Sequence, residues 1–247
     1  MYVTGSLSRP LGPFALQSHE AWFDLQPFRH RPLPLDRPGL IVEKDGYRLN
    51  VPGQKAQLWH PGLAYKRIKL KEDILRKVIG IRPGDWVLDG TLGMGHDALA
   101  LADAGANVIG VEINPALLLY TLCGIYRYNR ALSQCIHGRR GDYRDILKSA
   151  DSNSVDHVYL DPMFPVHSTR RQNGTWAVMR SVVEDRTRLE LEDLSEAIRV
   201  ARRTVTFKLA PGESMAALRQ MKPYECIGSK RQSYAVWRLE NECETAC

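Results

Sequence analysis

Short apolar runs alternate with segments of helical periodicity over most of the chain after residue 66. Short apolar runs bounded by turn signals are typical of buried strands, whereas apolar residues recurring three and four positions apart are typical of amphipathic helices. The predicted strands are Trp86 to Asp89, Val108 to Glu112, Ile136 to Tyr143, Val155 to Leu160 and Thr204 to Leu209, with a closing pair at Tyr224 to Ile227 and Ser233 to Leu239. The predicted helices are Ile68 to Ile79, His96 to Ala104, Pro115 to Tyr128 and a segment between about Ala177 and Ala201. This alternation predicts an α/β fold with a mostly parallel sheet and an antiparallel edge.

The amino-terminal part departs from this alternation. Residues 1 to about 38 are rich in proline and lack periodicity, which predicts an extended or poorly ordered arm. Leu40 to Glu43 and Tyr47 to Val51 then flank Asp45-Gly46, a pair typical of hairpin turns. We therefore expect two parts: an arm with a small β-hairpin over residues 1–65, and the main domain over residues 66–247.

The stretch Asp89 to Asp97, DGTLGMGHD, joins the first strand of the main domain to its first helix. Its glycines are spaced GxxGxG, which differs from the GxGxxG of dinucleotide-binding folds, and no Gly-Lys-Ser/Thr of a P-loop follows. Glycine lets such a turn approach a ligand where a Cβ would collide. Glu112, which closes the second strand, is placed to accept hydrogen bonds from a ribose diol. The unit predicts a nucleotide-like ligand, and a generic turn without a ligand is the alternative.

This arrangement of an acid, a small residue and two glycines resembles motif I of class I S-adenosylmethionine (SAM) methyltransferases. Asp89 is the acid, and Thr91 stands where many members carry glycine. The resemblance implies a Rossmann-like class I methyltransferase fold with a seven-stranded sheet. It also implies that the loop, through Thr91, Gly93 and Gly95, cradles the methionine part of SAM with its cationic sulfur near Asp89.

A second motif, Asp161-Pro162-Met163-Phe164-Pro165, directly follows a predicted strand, at the edge where doubly wound sheets bind ligands. It resembles the (D/N)PP(Y/F/W) motif of methyltransferases that act on exocyclic amines of nucleobases. An aryl amine is a weak nucleophile because its lone pair is delocalised into the ring. The Asp161 carboxylate and the Pro162 carbonyl could hold its N–H groups and localise that lone pair, while Phe164 would stack on an unpaired or flipped base. The alternative is that Asp-Pro merely ends a strand.

Together, DGTLGMGHDALALA, VIGVEINP, VYLDPMFP and TVTFK resemble the ribosomal small-subunit RNA methyltransferase J family, over about residues 60 to 240. That family makes N2-methylguanosine in ribosomal RNA with SAM, which becomes S-adenosyl-L-homocysteine. The resemblance implies SAM contacts at His96 and Asp97, Glu112 and Ile113, Asp142 and Tyr143, and Asp161. His96 stands where members typically carry arginine, and His167 to Arg171 stands where they carry a lysine-rich segment. We further expect Arg170, Arg171 and Lys208 to contact phosphates or the base.

The overall charge is compatible with an RNA partner. The 247 residues include 34 Lys and Arg against 28 Asp and Glu, a net charge of +6, which permits a polyanionic partner without proving one. The five cysteines form no CxxC pair and the seven histidines show no ligand spacing, so we expect a reducing cytoplasm and no metal. No apolar run approaches the roughly 20 residues of a membrane helix, so we expect no membrane association.

Three hypotheses follow from these patterns. The first is a SAM-dependent methyltransferase acting on the guanine N2 amine of RNA, in which Asp161 orients the amine and Phe164 stacks on the base. The second keeps the SAM fold but has a small-molecule or protein amine as acceptor, since the basic clusters are scattered. The third is a SAM- or nucleotide-binding module without catalysis.

Overall fold

The computed structural model describes residues 2–5, 39–43, 46–50, 55–62, 64–70, 73–161, 190–209, 224–229 and 232–239. The strands are β1 (Tyr2–Gly5), β2 (Gly39–Glu43), β3 (Gly46–Asn50), β4 (Gln57–Leu58), β5 (Trp86–Asp89), β6 (Asn107–Glu112), β7 (Ile136–Arg140), β8 (Val155–Leu160), β9 (Ala201–Leu209), β10 (Glu225–Ser229) and β11 (Gln232–Arg238). The helices are α1 (Ala64–Leu70), α2 (Ile74–Ile79), α3 (His96–Asp103), α4 (Pro115–Tyr128), α5 (Arg130–Gln134), α6 (Tyr143–Ser149) and α7 (Leu191–Val200).

The main domain is built on a seven-stranded sheet with the order β10, β11, β9, β8, β5, β6, β7. Strands β9, β8, β5, β6 and β7 are parallel to one another, whereas β11 is antiparallel to both β9 and β10. This confirms the mostly parallel sheet with an antiparallel edge. The chain leaves β5 towards one edge and returns to its other side at β8, so a switch point lies between them. Ligands of doubly wound sheets bind in the crevice at the carboxyl ends of strands beside such a point.

Apolar side chains cover both faces of this sheet, because successive residues of a strand point to opposite sides. Val87 and Leu88 of β5 are both buried and belong to different layers of the core. One layer contains residues of α2, α3 and α4, and the other contains residues of α6 and α7. Burial on both faces accounts for the near-continuous apolar runs of the central strands.

One predicted helix and one predicted strand have different bounds in the structure. The single helix predicted over Ile68 to Ile79 is wrong: α1 ends at Leu70, and α2 begins at Ile74. Asp73 starts the second helix because its carboxylate accepts the N–H of Arg76 at 3.2 Å, an N-cap that competes with helix continuation. The third strand is also shorter than predicted. It ends at Arg140, and Asp142 caps α6, a helix that the pattern did not predict.

A small four-stranded sheet, β1-β2-β3-β4, precedes the main domain. Strands β2 and β3 pair antiparallel from Gly39 opposite Asn50 to Glu43 opposite Gly46, which confirms the predicted hairpin. Its Lys44-Asp45 turn lies outside the described residues. The strand β1 pairs parallel with β2, so part of the arm is a strand, and the remainder of residues 1–38 lies outside the described part.

This sheet packs against α4 of the main domain. Leu40 and Leu49 are buried, and the Tyr120 hydroxyl of α4 donates to the Gln57 carbonyl at 3.2 Å. The division at residue 65 stays a prediction. Among the described helices, none is long and apolar enough to cross a membrane.

Candidate functional site

The glycine loop is held by backbone hydrogen bonds at the carboxyl end of β5. The Gly90 N–H donates to the Tyr159 carbonyl of β8 at 3.0 Å, and the Leu92 N–H donates to the Val111 carbonyl of β6 at 2.9 Å. A Cβ on Gly90 would lie 2.2 Å from Leu160 Cδ2, so only glycine fits between the strands there. Gly95 ends the loop with a φ of +68°, which favours glycine at the start of α3. The loop is therefore fixed by both neighbouring strands.

Asp89 is buried beneath this loop. Its carboxylate accepts the Thr91 N–H at 3.0 Å, and only 1% of the residue is exposed. Burial, with a further contribution from the carboxylates of Asp97 and Asp161, raises the pKa of Asp89 to about 8, although the Thr91 N–H opposes the shift. The site thus holds a carboxyl group whose ionisation a nearby cation would favour.

Glu112 closes β6 beside the loop, as the sequence predicted. Its carboxylate accepts the Gly93 N–H at 3.1 Å and the Asn114 N–H at 2.8 Å, and Asn114 in turn caps α4. Burial raises the pKa of Glu112 to about 7, although these N–H groups act in the opposite direction. Ile113, the next residue, is 40% exposed. Glu112 therefore ties the glycine loop to the start of α4.

Asp97, in the first turn of α3, is the centre of an ion-pair network. It pairs with Arg67 of α1, lies 3.4 Å from the Lys208 Nζ of β9, and accepts the Tyr159 hydroxyl at 2.7 Å. Arg67 also pairs with Asp73. Burial would favour the neutral carboxyl, but the charges of Lys208 and Arg67 outweigh it and lower the pKa of Asp97 well below its usual value. Asp97 is therefore ionised under all ordinary conditions.

Asp161, the first residue of the second motif, lies at the end of β8 between the loop and this network. Its N–H donates to the Thr91 hydroxyl at 2.7 Å, and its carboxylate pairs with Lys208. Burial and the Asp97 charge raise the pKa of Asp161 to about 6, while the Lys208 charge limits the rise. Pro162, Phe164, Arg170 and Arg171 lie outside the described residues, so their predicted roles stay predictions.

His96 points away from this network, towards the segment that precedes α1. Its Nε2 lies 3.1 Å from the His60 carbonyl, and its ring centroid is 6.0 Å from that of Trp59. The Trp59 indole donates to the Met94 carbonyl of the glycine loop at 3.0 Å. Burial lowers the pKa of His96, which favours the neutral imidazole. His96 thus links the loop to residues 59–62.

Asp142 and Tyr143 lie at the start of α6, on the far side of the loop from His96. Asp142 accepts the Arg144 N–H at 3.0 Å, and the Tyr143 hydroxyl donates to Asp193 of α7 at 3.1 Å. The Cβ of Tyr143 lies 2.9 Å from where a Cβ on Gly90 would be, so its backbone borders the loop. The adenine contact implied for this pair stays a prediction.

The structure brings together side chains from several elements that sequence reasoning treated separately. Eight of the predicted site residues lie at the carboxyl edge of the sheet or on the loop and helix that follow β5: Asp89, Thr91, Gly93, Gly95, Asp97, Glu112, Asp161 and Lys208. Sequence reasoning missed Arg67, Tyr159 and Trp59. Arg67 belongs to the run KRIKLKEDILRK, in which nothing distinguishes an inward-facing cation from its exposed neighbours. Strand alternation alone did not mark Tyr159, although it shares a face with Val87.

This edge carries buried carboxylates that suit the charge of SAM. SAM carries a sulfonium, an ammonium and one carboxylate, and is therefore a net cation. Burial raises the pKa values of Asp89 and Glu112, so a cation bound beside them would favour their ionised carboxylates. The residues therefore fit a cationic nucleoside cofactor.

Comparisons with known proteins agree with this assignment. A model of the family described as "Putative SAM-dependent methyltransferase" matches residues 57–238. The chain belongs to this family, whose methyl donor is SAM. The crystal structure of the SAM-dependent methyltransferase NGO1261 from Neisseria gonorrhoeae has a TM-score of 0.70 over 97% of this chain and 96% of that chain, at 20% identity. That likeness shows the same fold.

Two proteins of similar sequence are an uncharacterised protein and a ribosomal RNA methyltransferase. The uncharacterised protein YpiP of Bacillus subtilis is 32% identical over 188 residues, 70% of this chain and 71% of YpiP. Ribosomal RNA small subunit methyltransferase J of Acinetobacter baylyi is 34% identical over 153 residues, 58% of this chain and 55% of that protein. The alignment thus spans about half the length of that methyltransferase J.

Proposed function

We propose that this enzyme transfers the methyl group of SAM to the exocyclic N2 amine of guanine in small-subunit ribosomal RNA. The observation that carries the proposal is the position of Asp161. Its carboxylate lies at the carboxyl end of β8, beside the switch point, and its backbone is bonded to the glycine loop through Thr91. A carboxylate that accepts hydrogen bonds, fixed next to the loop that would hold the methyl donor, suits a substrate whose N–H group is to be methylated.

For this reaction the protein has mainly to align the amine with the methyl group and to provide complementary charge. Bound SAM supplies a methyl group on a sulfonium that leaves as neutral S-adenosyl-L-homocysteine. The Asp161 carboxylate accepts an N–H of the amine, which directs the nitrogen lone pair away from the ring and towards the methyl carbon. The N–CH₃ bond forms as the S–CH₃ bond breaks, and the nitrogen then loses one proton. A carboxylate with a pKa of about 6 can receive that proton and release it at neutral pH.

The RNA part of the proposal is supported by two further features. Arg139 and Arg140 are exposed on β7, the last strand of the sheet, and Arg140 lies opposite Glu112 in register. Their charge is available beside the carboxyl edge for a phosphate backbone. The methyltransferase J relatives are named for ribosomal RNA of the small subunit. We accordingly propose that the enzyme works in the cytoplasm.

The test is a transfer assay with nucleoside identification. The purified protein is incubated with methyl-labelled SAM and unmodified small-subunit RNA, free and in assembled subunits, and the RNA is then digested to nucleosides. Label in N2-methylguanosine is the expected result. Label in another base would keep the amine chemistry and reject guanine N2. Label that appears only with a protein or metabolite pool would instead support a small-molecule or protein amine as acceptor.

A further inference from the structure

Lys208 lies beside Asp161 because of the strand register. Strands β8 and β9 are parallel, and Leu160 of β8 is opposite Phe207 of β9. The residue after Leu160 is Asp161, and the residue after Phe207 is Lys208. Asp161 and Lys208 therefore lie side by side at the same carboxyl edge. The Lys208 ammonium pairs with Asp161 Oδ2 and lies 3.4 Å from Asp97 Oδ2. One cation thus bridges the carboxylates of two different elements.

The two carboxylates differ in the support they receive from other side chains. Asp97 has Arg67 and the Tyr159 hydroxyl as donors in addition to Lys208. The backbone N–H of Asp161 donates to the Thr91 hydroxyl. Among the described residues, Lys208 is the side chain that donates to the Asp161 carboxylate. Loss of Lys208 would therefore affect Asp161 much more than Asp97.

The ammonium of Lys208 is held by Oδ2 of Asp161, one of the two oxygens that could accept from the target amine. Both groups are N–H donors, and a carboxylate oxygen that holds a charged donor presents fewer lone pairs to a neutral one. An amine that binds at Oδ2 therefore displaces the ammonium. A displaced cation in this partly buried edge needs another carboxylate close by, since leaving a charge unpaired is costly. Asp97, already 3.4 Å from Nζ, is such a partner.

We propose that Lys208 is a positioning residue that holds the Asp161 carboxylate in the substrate-free site and moves onto Asp97 when the target amine takes its place. This inference rests on the amine acceptor of the proposed function. It replaces the sequence-based expectation that Lys208 contacts phosphate or the base. Its side chain is 24% exposed and engaged with two carboxylates, which suits an internal contact better than a phosphate contact.

Lys208 does not act as the base in this scheme. Burial alone would favour its neutral amine, but Asp97 and Asp161 raise the pKa of Lys208 above its usual value. It therefore stays protonated over the working range of pH. Its effect on Asp161 is opposite, since its charge favours the ionised carboxylate and keeps that pKa near 6. The charged or titratable groups that face the pair from the neighbouring elements are Arg67, Asp73, Asp89, Asp97, Tyr159 and Tyr234.

The experiment compares Lys208→Met and Lys208→Arg with the wild type, using labelled SAM and small-subunit RNA over pH 5.5 to 9. For the wild type we expect an acid limb of kcat/KM, which reports the free enzyme, near the pKa of Asp161. For Lys208→Met we expect that limb to move to higher pH by about one unit or more, so that activity lost at neutral pH partly returns at high pH. Lys208→Arg should keep the wild-type limb. Lys148→Met, an exposed lysine on α6, is the matched control and should behave as wild type.

Two further readouts separate this role from a phosphate contact. If Lys208 positions Asp161, Lys208→Met leaves the KM for RNA and its dependence on salt unchanged, and kcat falls. If Lys208 contacts a phosphate, KM rises, the slope of log affinity against log salt falls by about 0.7 for a single strand, and the pH limb stays in place. The second outcome would overturn the proposal.

A readout without RNA keeps this inference distinct from the proposed function. If the wild type labels no RNA, the function fails, and the Lys208–Asp161 pair is then tested by ¹³C NMR titration of the Asp161 carboxyl in the free protein. Lys208→Met should raise its midpoint and Lys208→Arg should not. An unchanged midpoint in Lys208→Met would show that Lys208 does not hold this carboxylate.

Discussion

The Asp161 N–H donates to the Thr91 hydroxyl at 2.7 Å, so the end of β8 is bonded to a side chain of the glycine loop. Thr91 stands at a position where many SAM methyltransferases carry glycine, which has no hydroxyl to offer. In this chain the residue that replaces glycine joins the two motifs. The positions of Asp161 and of the glycine loop are therefore coupled through one hydrogen bond.

Replacing Thr91 with Val removes that bond and keeps the shape of the side chain. A buried hydrogen bond typically contributes about 1 kcal/mol, and its loss leaves the Asp161 N–H without this partner. We expect kcat to fall by roughly tenfold while the Kd for SAM changes by much less. Kinetics and calorimetric SAM binding measure the two effects. Thr91→Ser keeps the hydroxyl and is the control, so equal losses in Ser and Val would contradict the role of the bond.

Asp161→Asn tests the acceptor itself. The amide retains the size of the carboxylate but loses its charge and one acceptor, so we expect kcat to fall by roughly 10²- to 10³-fold, as for other preorganised catalytic groups. SAM affinity should stay within a few-fold of wild type. Asp156→Asn, on the same strand and paired with exposed Arg202, is the matched control and should retain activity. Normal transfer by Asp161→Asn would remove the second motif from the mechanism.

The affinity for SAM should rise with pH between about 6 and 8. In the ligand-free protein, burial raises the pKa of Asp89 to about 8 and that of Glu112 to about 7, so both bind protons in this range. A cationic ligand favours their ionised forms, and binding therefore releases protons. Calorimetry in buffers of different ionisation enthalpy counts these protons. S-adenosyl-L-homocysteine lacks the sulfonium charge and should show a weaker dependence. An equal pH dependence for both ligands would be inconsistent with this account.

The raised pKa values of Asp89 and Glu112 also determine whether the stability of the folded protein rises or falls with pH. Their pKa values are raised on folding, so their contribution is fully present below the unfolded pKa near 4 and is lost as pH rises through 7 and 8. We expect the Tm of the ligand-free protein to fall over that range, and the increase in Tm on adding SAM to be larger at pH 8.5 than at pH 6. Asp97 behaves in the opposite way, since its pKa is lowered and its contribution is lost only in strong acid. Glu112→Gln should flatten the Tm profile up to about pH 7, while the fall towards pH 8, which Asp89 causes, should remain.

Arg139 and Arg140 should contribute to RNA affinity without affecting SAM affinity. Replacing both with Ala removes two exposed charges from the edge strand, so the slope of log affinity against log salt should fall by about 0.7 for each phosphate that these arginines neutralise. Filter binding at several salt concentrations measures the slope. Lys77→Ala with Lys148→Ala removes the same charge elsewhere on the surface. If that control lowers the slope equally, the effect is one of net charge and not of this strand.

Much of the fold could be read from the sequence because its signals are local. The strand at Trp86 to Asp89, the turn DGTLGMGHD and the cap at Asn114-Pro115 each specify their own conformation, and the structure confirms them. The break at Asp73 was missed because the apolar spacing continues across it, and only a side-chain cap shows where one helix ends and the next begins.

The sequence by itself determined the class of fold and the two motifs, since glycine spacing and an acid after an apolar run act over a few residues. The cofactor followed from the resemblance of the first motif to that of SAM methyltransferases. The tertiary structure decided which charges meet. Asp97, Asp161 and Lys208 are far apart in the chain, and they converge because β8, β5 and β9 are parallel neighbours whose carboxyl ends share one edge. Arg67 joins them because α1 packs against α3. Ion pairing depends on distance in space and on burial, and neither can be read from the spacing of residues along the chain.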